Sequence, residues 1–151
     1  MKEHPFTPAD LDLLVELNRL RAQGDVAAAA TLEDHFARHF AAHHHLAVYG
    51  TLAPGQPNHH HLSGLAGVWH SGHTVTGELA ASGWAADQGF RALRWSPAGG
   101  AVPHLFASVE LPQHWPRLDA FEGPEYLRIL VPLHLDGAVS TVSNLYAERP
   151  G

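Results

Sequence analysis

The sequence predicts an α+β protein in which a helical hairpin precedes a sheet-rich body. Residues 7–42 space their apolar side chains with helical periodicity, whereas from Leu46 onward short β-type runs alternate with glycine and proline. The length of 151 residues suits one compact body of ordinary size. We expect the change of pattern near His43 to separate the two parts.

The first helix is bounded by local signals. Thr7 can cap it, with Pro8 at the first helical position and Asp10 in the first turn, and Gly24 supplies a stop. These signals predict a helix over residues 8–23. Its apolar side chains cover most of the circumference, so we expect burial on more than one side. They are Leu11, Leu13, Leu14, Val15, Leu17 and Leu20.

A second helix is predicted to start after Asp25, which can cap it. An alanine run leads into Leu32, Phe36 and Phe40, which are four residues apart and therefore share one face. The two helices form a predicted hairpin. Its broad apolar surface leaves two partners open: the sheet body of the same chain, or the N-terminal helices of a second subunit in a homodimer.

Six runs with β-type composition follow the hairpin. Asp136-Gly137 joins the last two and favours a turn with positive φ at both positions, which predicts an antiparallel pair. After the fourth run, residues 112–121 begin with proline and end before Gly123, a pattern typical of a short helix. The runs are 46–49, 74–79, 91–95, 104–111, 126–135 and 138–147.

Composition excludes several classes of function. Nine Lys and Arg against fifteen Asp and Glu give a net charge of −6, and no basic patch is clustered, so we expect no nucleic-acid partner. No apolar run approaches the roughly 18 residues that span a bilayer, so we expect no membrane partner. The absence of cysteine excludes disulfides and thiolate catalysis. A soluble, cytoplasmic protein is expected.

Glu122 is the first candidate for chemistry. In the predicted short helix it stands seven residues after Trp115 and four after Leu118, so it shares a face with two side chains that should point inward. Desolvation at the edge of a core would raise the pKa of this carboxyl toward the range useful for a general acid or base. The alternative is that Glu122 turns to solvent or pairs with Arg128.

A glycine-containing loop is the second candidate. The segment Val48-Tyr49-Gly50-Thr51-Leu52 is an apolar strand that runs directly into this loop. Successive backbone N–H groups in such a loop can bind an anion. Because strand-to-glycine turns occur in most folds, an ordinary turn is the alternative.

These segments occur together in a recognisable order. Val48–Leu52, then Gly83-Trp84-Ala85-Ala86, then Leu118-Asp119-Ala120-Phe121-Glu122-Gly123 with Tyr126 and Arg128 downstream, resemble the γ-glutamylcyclotransferase superfamily, most closely its AIG2-like bacterial branch. The resemblance implies a small twisted, partly closed β-barrel with short helices. We therefore expect an N-terminal helical extension over residues 1–43 and a γ-glutamylcyclotransferase-like domain over residues 44–151.

The resemblance also implies a reaction. Members release an amine or amino acid from a γ-glutamyl amide while the glutamyl part cyclises to 5-oxoproline, with no cofactor. Glu122 would be the general acid and base, and the amides of Gly50, Thr51 and Leu52 would bind the substrate carboxylate or the developing oxyanion. The Tyr126 hydroxyl would donate nearby, and Tyr49 would form a wall. Ala53 stands where many relatives carry a basic residue, so that charge is missing here.

Two other functions stay open at this stage. His35, His39 and His43 repeat every four residues, and His59-His60-His61 follow, which suggests metal binding. The pattern lacks the glutamate of zinc-protease helices, so we expect no metal site. The second alternative keeps the fold without catalysis, as a module that binds small acidic metabolites.

Overall fold

The computed structural model describes residues 5–48, 54–55, 57–73, 104–136 and 138–148. The elements in these ranges are, in chain order, α1 (Pro8–Gln23), α2 (Val26–Phe40), a 3₁₀ turn (Ala42–His44), β1 (His45–Val48), α3 (His60–Ser63), β2 (Val68–His70), β3 (His104–Ala107), α4 (Leu111–Glu122), β4 (Tyr126–Leu135) and β5 (Ala138–Glu148).

The five strands form one mixed sheet in the order β2-β3-β1-β5-β4. Strand β1 runs antiparallel to β3 and parallel to β5, and β4 and β5 form a long antiparallel pair. Among the described strands β2 and β4 are the edges, so this part of the sheet is open. The α+β class and the N-terminal helices are confirmed.

The N-terminal helices form where the local signals place them. The Thr7 side chain accepts a hydrogen bond from the Asp10 backbone N–H, and the Asp10 carboxylate accepts one from the Thr7 backbone N–H, which completes a capping box. Gly24 ends α1 at a φ of 72°, the left-handed conformation that favours glycine. The Asp25 carboxylate accepts from Ala28 N–H and caps α2.

The hairpin packs against the sheet of its own chain. Leu14, Leu17 and Phe36 are almost fully buried and share one hydrophobic cluster with Ile129 and Leu145 of the long strand pair. The sequence left two possible partners for the apolar surface of the hairpin, the sheet of the same chain and a second subunit. In the structure the sheet contacts this surface. A homodimer through the N-terminal helices stays a prediction, as does the division into domains at residue 43.

A buried asparagine on α1 completes the hydrogen bonding of an edge strand. The Asn18 amide donates to the Leu130 carbonyl at 3.0 Å, and its carbonyl oxygen accepts from the Leu130 N–H at 2.8 Å. Asn18 and Leu130 are both buried. Because Leu130 lies on β4, the Asn18 side chain takes the place of a neighbouring strand at this point.

The predicted β4–β5 hairpin is confirmed by a register that pairs Leu135 with Ala138. Asp136 adopts a φ of 54° in the connecting turn, and Gly137 lies outside the described residues. The predicted strands at 74–79 and 91–95 also lie outside them. The sequence pattern did not predict α3 or β2.

One boundary prediction is wrong. The run 104–111 was expected to be a single strand, but β3 ends at Ala107 and α4 already begins at Leu111. The Ser108 hydroxyl accepts from the Glu110 N–H, and the Ser108 carbonyl accepts from the Leu111 N–H. These bonds close a turn that competes with the extended conformation. The helix begins one residue before and ends one residue after the predicted 112–121.

Candidate active site

Glu122 is the last residue of α4, on the inward face that its spacing predicts. Trp115 and Leu118 on the same face are buried at 8% and 0% exposure, and Glu122 is half-buried. Burial raises the pKa of the Glu122 carboxyl above its ordinary value. A carboxyl with a raised pKa is suited to accept and return a proton near neutral pH.

The expected alternative partner of Glu122 is engaged elsewhere. Arg128 donates from Nε and Nη2 to the two carboxylate oxygens of Asp119, at 3.0 and 3.4 Å. Its guanidinium also lies 4.3 Å from the centre of a Trp115 ring. Within the described ranges Glu122 makes no hydrogen bond or ion pair. The Glu122–Arg128 pair considered from the sequence is therefore not formed.

A tight turn connects Glu122 to Tyr126. Gly123 adopts a φ of 87°, and its carbonyl accepts from the Tyr126 N–H at 3.1 Å. The positive φ is one that residues with a side chain rarely adopt, so glycine suits this position. The turn places Tyr126 at the first position of β4, half-buried against the cluster that holds Trp115 and Leu118.

Strand β1 leads toward this same cluster. Val48, its last residue, is buried there together with Leu118, Trp115 and Tyr146. The predicted binding loop follows Val48 directly in the sequence. Tyr49, Gly50, Thr51 and Leu52 lie outside the described residues, as does Gly83-Trp84-Ala85-Ala86. The described structure thus brings the end of β1 and the end of α4 into one cluster.

A chain of polar contacts, which no sequence pattern indicated, connects α4 to β4, β5 and α1. The Tyr146 hydroxyl donates to Asp119 Oδ1 at 2.6 Å, and burial together with this carboxylate raises the pKa of Tyr146 far above its ordinary value. Asn144 Oδ1 accepts from Arg128 Nη1 at 3.1 Å and from Arg21 Nη1 at 2.8 Å. Arg21 stands on α1, so the chain of contacts reaches from the hairpin to the last turns of α4.

A groove of about 890 Å³ lies between α2 and the turn from α4 to β4. Val26, Ala29 and Glu33 form one wall, and Asp119 and Tyr126 lie on the other. Glu122 is not among its lining residues. The two walls come from segments about ninety residues apart, which is why no local pattern in the sequence indicates the groove.

The described histidines make local contacts in pairs. His35 Nε2 lies 2.9 Å from Asp10 Oδ1, and its ring packs against the ring of His39. In the ranges that the structure describes, no three His, Cys, Asp or Glu side chains come together as a potential metal site. No described helix is long and apolar enough to cross a membrane.

Comparison with known proteins identifies the class. A sequence model of the family described as gamma-glutamyl cyclotransferase, AIG2-like, matches residues 46–148, which is more than half of the 151-residue chain. The chain therefore belongs to this family, and membership assigns it a cyclotransferase-type enzyme activity in general terms. The match begins after the helical hairpin. Neither a curated protein nor a solved structure was found to match.

Proposed function

We propose that this protein is a γ-glutamylcyclotransferase that releases an amine or amino acid from a γ-glutamyl amide and forms 5-oxoproline, with Glu122 as its general acid and base. The observation that carries the proposal is the Glu122 carboxyl itself. It is half-buried, its pKa is raised by burial, and it has no ion-pair partner among the described residues. Family membership supports the type of reaction.

The reaction needs one group that accepts and then returns a proton, and it consumes no water. The substrate's α-amino nitrogen attacks its own γ-carbonyl carbon, so that a ring C–N bond forms and the original amide C–N bond breaks. Glu122 takes a proton from the attacking nitrogen and returns one to the departing nitrogen. Ring closure is intramolecular and gains from the proximity of the two groups. The catalytic residue is unchanged at the end, and no cofactor is required.

The tetrahedral intermediate carries negative charge on the former carbonyl oxygen. We assign its stabilisation, or the binding of the substrate carboxylate, to the backbone amides of Gly50, Thr51 and Leu52, with Tyr49 as a wall. Support comes from the position of Val48, which ends β1 in the cluster beside α4. Preorganised N–H dipoles act strongly in a site with little water.

Tyr126 is assigned a hydrogen-bonding role in the same site. Its position at the start of β4, one short turn after Glu122, supports a contact with the substrate. Because the pKa of Glu122 is raised, kcat/KM should rise with pH along an acid limb whose midpoint lies above the ordinary glutamate value. The cytoplasm remains the expected compartment.

The test is a panel of γ-glutamyl amines and γ-glutamyl dipeptides incubated with the purified protein, with 5-oxoproline measured directly. Glu122→Gln keeps the shape of the side chain and removes the proton acceptor, so we expect a folded protein with at least a 100-fold lower kcat. Glu125→Gln is the matched control, since Glu125 is exposed three residues away. It should retain the kcat of the parent.

Two outcomes would contradict the proposal. A Glu122→Gln variant that turns over substrate at nearly the parental rate would show that another group is the base. A parent that binds γ-glutamyl compounds in calorimetry but forms no 5-oxoproline with any of them would favour the non-catalytic binding module.

A further inference from the structure

We propose that Arg21, on the N-terminal hairpin outside the family-matched region, is a positioning residue that fixes the end of α4 bearing Glu122. This inference rests on the proposed function for its role in catalysis. Its structural basis is the chain of contacts from Arg21 through Asn144 and Arg128 to α4, and each step is a hydrogen bond between side chains from different elements.

Arg21 is the anchor of this chain. Its side chain is 11% exposed and forms two bonds with Glu33 of α2, at 2.7 and 2.8 Å. Its Nη1 donates both to the Arg128 carbonyl at 2.9 Å and to Asn144 Oδ1 at 2.8 Å. One guanidinium thus joins α1, α2, β4 and β5. Lysine has no planar fork of donors and cannot make all four bonds.

Asn144 connects Arg21 to Arg128. Its carbonyl oxygen accepts from both Arg21 and Arg128, and its amide donates to the backbone carbonyl of Ala42 at 2.8 Å. Asn144 is fully buried. Because both ends of the amide are bonded, Asn144 holds Arg21 and Arg128 at a fixed separation despite their like charges.

Arg128 then holds α4 at two points. It pairs with Asp119, three residues before Glu122, and it stacks over Trp115, seven residues before Glu122. The helix face that carries the proposed base is therefore secured by the residue that Arg21 positions. A displacement of about 1 Å in a catalytic group can lower a rate by about 100-fold, so a loosened contact here would reach the reaction.

Three variants test this inference. Arg21→Met removes the guanidinium, and Arg21→Lys keeps the charge but removes the fork. Glu33→Gln is a milder change, at a side chain that is 43% exposed, which should leave the chain folded. Arg19→Met is the matched control, because Arg19 lies on the same helix, is 50% exposed and, among the described residues, pairs with Glu16 alone. The readouts are kcat, KM and the titration of the Glu122 carboxyl by ¹³C NMR.

We expect kcat to fall by about 10- to 100-fold in both Arg21 variants, with KM within about threefold of the parent. Glu33→Gln should give a smaller fall in the same direction. The Glu122 titration midpoint should move down toward the ordinary glutamate value as the carboxyl becomes more exposed. Loss of positive charge alone would move the midpoint up, so a downward shift, above all in Arg21→Lys, indicates lost positioning.

Different results would contradict the inference and the proposed function. Parental kcat and an unchanged Glu122 midpoint in folded Arg21→Lys and Glu33→Gln would overturn the inference, whatever happens to Arg21→Met. If the parent protein forms no 5-oxoproline, the proposed function fails. The NMR titration then still decides whether Arg21 controls the surroundings of Glu122.

Discussion

Asn18→Ala should lower the free energy of unfolding by about 3 kcal/mol, because it leaves two buried backbone groups without partners. In the parent the Asn18 side chain bonds both the N–H and the carbonyl of Leu130, at 2.8 and 3.0 Å. Leu130 is 1% exposed, so water cannot replace these bonds without local opening. Each unpaired buried group costs about 1–3 kcal/mol, which gives a range of about 2–6 kcal/mol.

A second variant separates hydrogen bonding from packing. Asn18→Leu keeps the branched shape and the number of heavy atoms of the parent side chain and is somewhat bulkier, so it leaves no cavity but still deprives Leu130 of both partners. We expect it to remain about 2 kcal/mol less stable than the parent. Gln23→Ala, at an exposed position near the end of the same helix, should stay within about 0.5 kcal/mol.

The measurement is equilibrium unfolding in urea, monitored by circular dichroism. The free energy of unfolding and its dependence on urea concentration are compared among the four proteins. If Asn18→Leu were as stable as the parent, the Leu130 groups would have found other partners. The reasoning that α1 completes the hydrogen bonding of β4 would then be refuted.

Three further predictions concern the loop, the hairpin and the histidines. Gly50→Val should abolish both substrate binding and turnover, since a side chain there would block approach to the loop amides; a folded variant with parental affinity would contradict the anion-binding role. A chain that begins at His43 should be insoluble or melt without cooperativity, because it exposes the sheet surface that the hairpin covers; a soluble, fully active truncation would show the hairpin to be dispensable. Burial lowers the pKa of His45, so its unfolded form takes up a proton that the folded form does not, and thermal stability should fall as the pH is lowered through the unfolded histidine value of about 6.5. His45→Gln should reduce that dependence, and a variant with the parental dependence on pH would contradict this reasoning.

The parts of the fold that the sequence predicted correctly are those with local causes. Helix α1 begins and ends at the predicted residues, because Thr7 and Asp10 form the cap and Gly24 the stop within the same short segment. The β4–β5 hairpin follows from two β-type runs and the Asp136-Gly137 dipeptide between them. The wrong boundary at residues 104–111 also has a local cause. The Ser108 hydroxyl closes a turn, and the hydrophobicity of the run does not indicate this turn.

In the candidate site too, the sequence predicted the feature that has a local cause and missed the one that depends on packing between elements. Helical spacing from Trp115 and Leu118 predicted the inward face of Glu122, and in the structure Trp115 and Leu118 are buried and Glu122 is half-buried. The partner of Arg128 was harder to predict, since Asp119 and Glu122 are both within reach in sequence and only the packing of α4 on β4 selects between them. The Tyr49–Leu52 assignment stays a prediction.

The hairpin contacts illustrate what periodicity cannot reveal. Asn18 and Arg21 are polar residues on a helix whose buried apolar positions are all leucines, and an apolar pattern treats them as interruptions of the buried face. Both have partners in β4 or β5 that lie more than 100 positions away in the sequence. A polar side chain on an apolar face costs stability unless it is bonded, so such an interruption is itself a signal that a specific partner exists. In this chain those partners are Leu130 on the edge strand β4, Arg128 and Asn144. Arg128 and Asn144 connect the hairpin, which lies outside the family-matched region, to the helix that carries the proposed base.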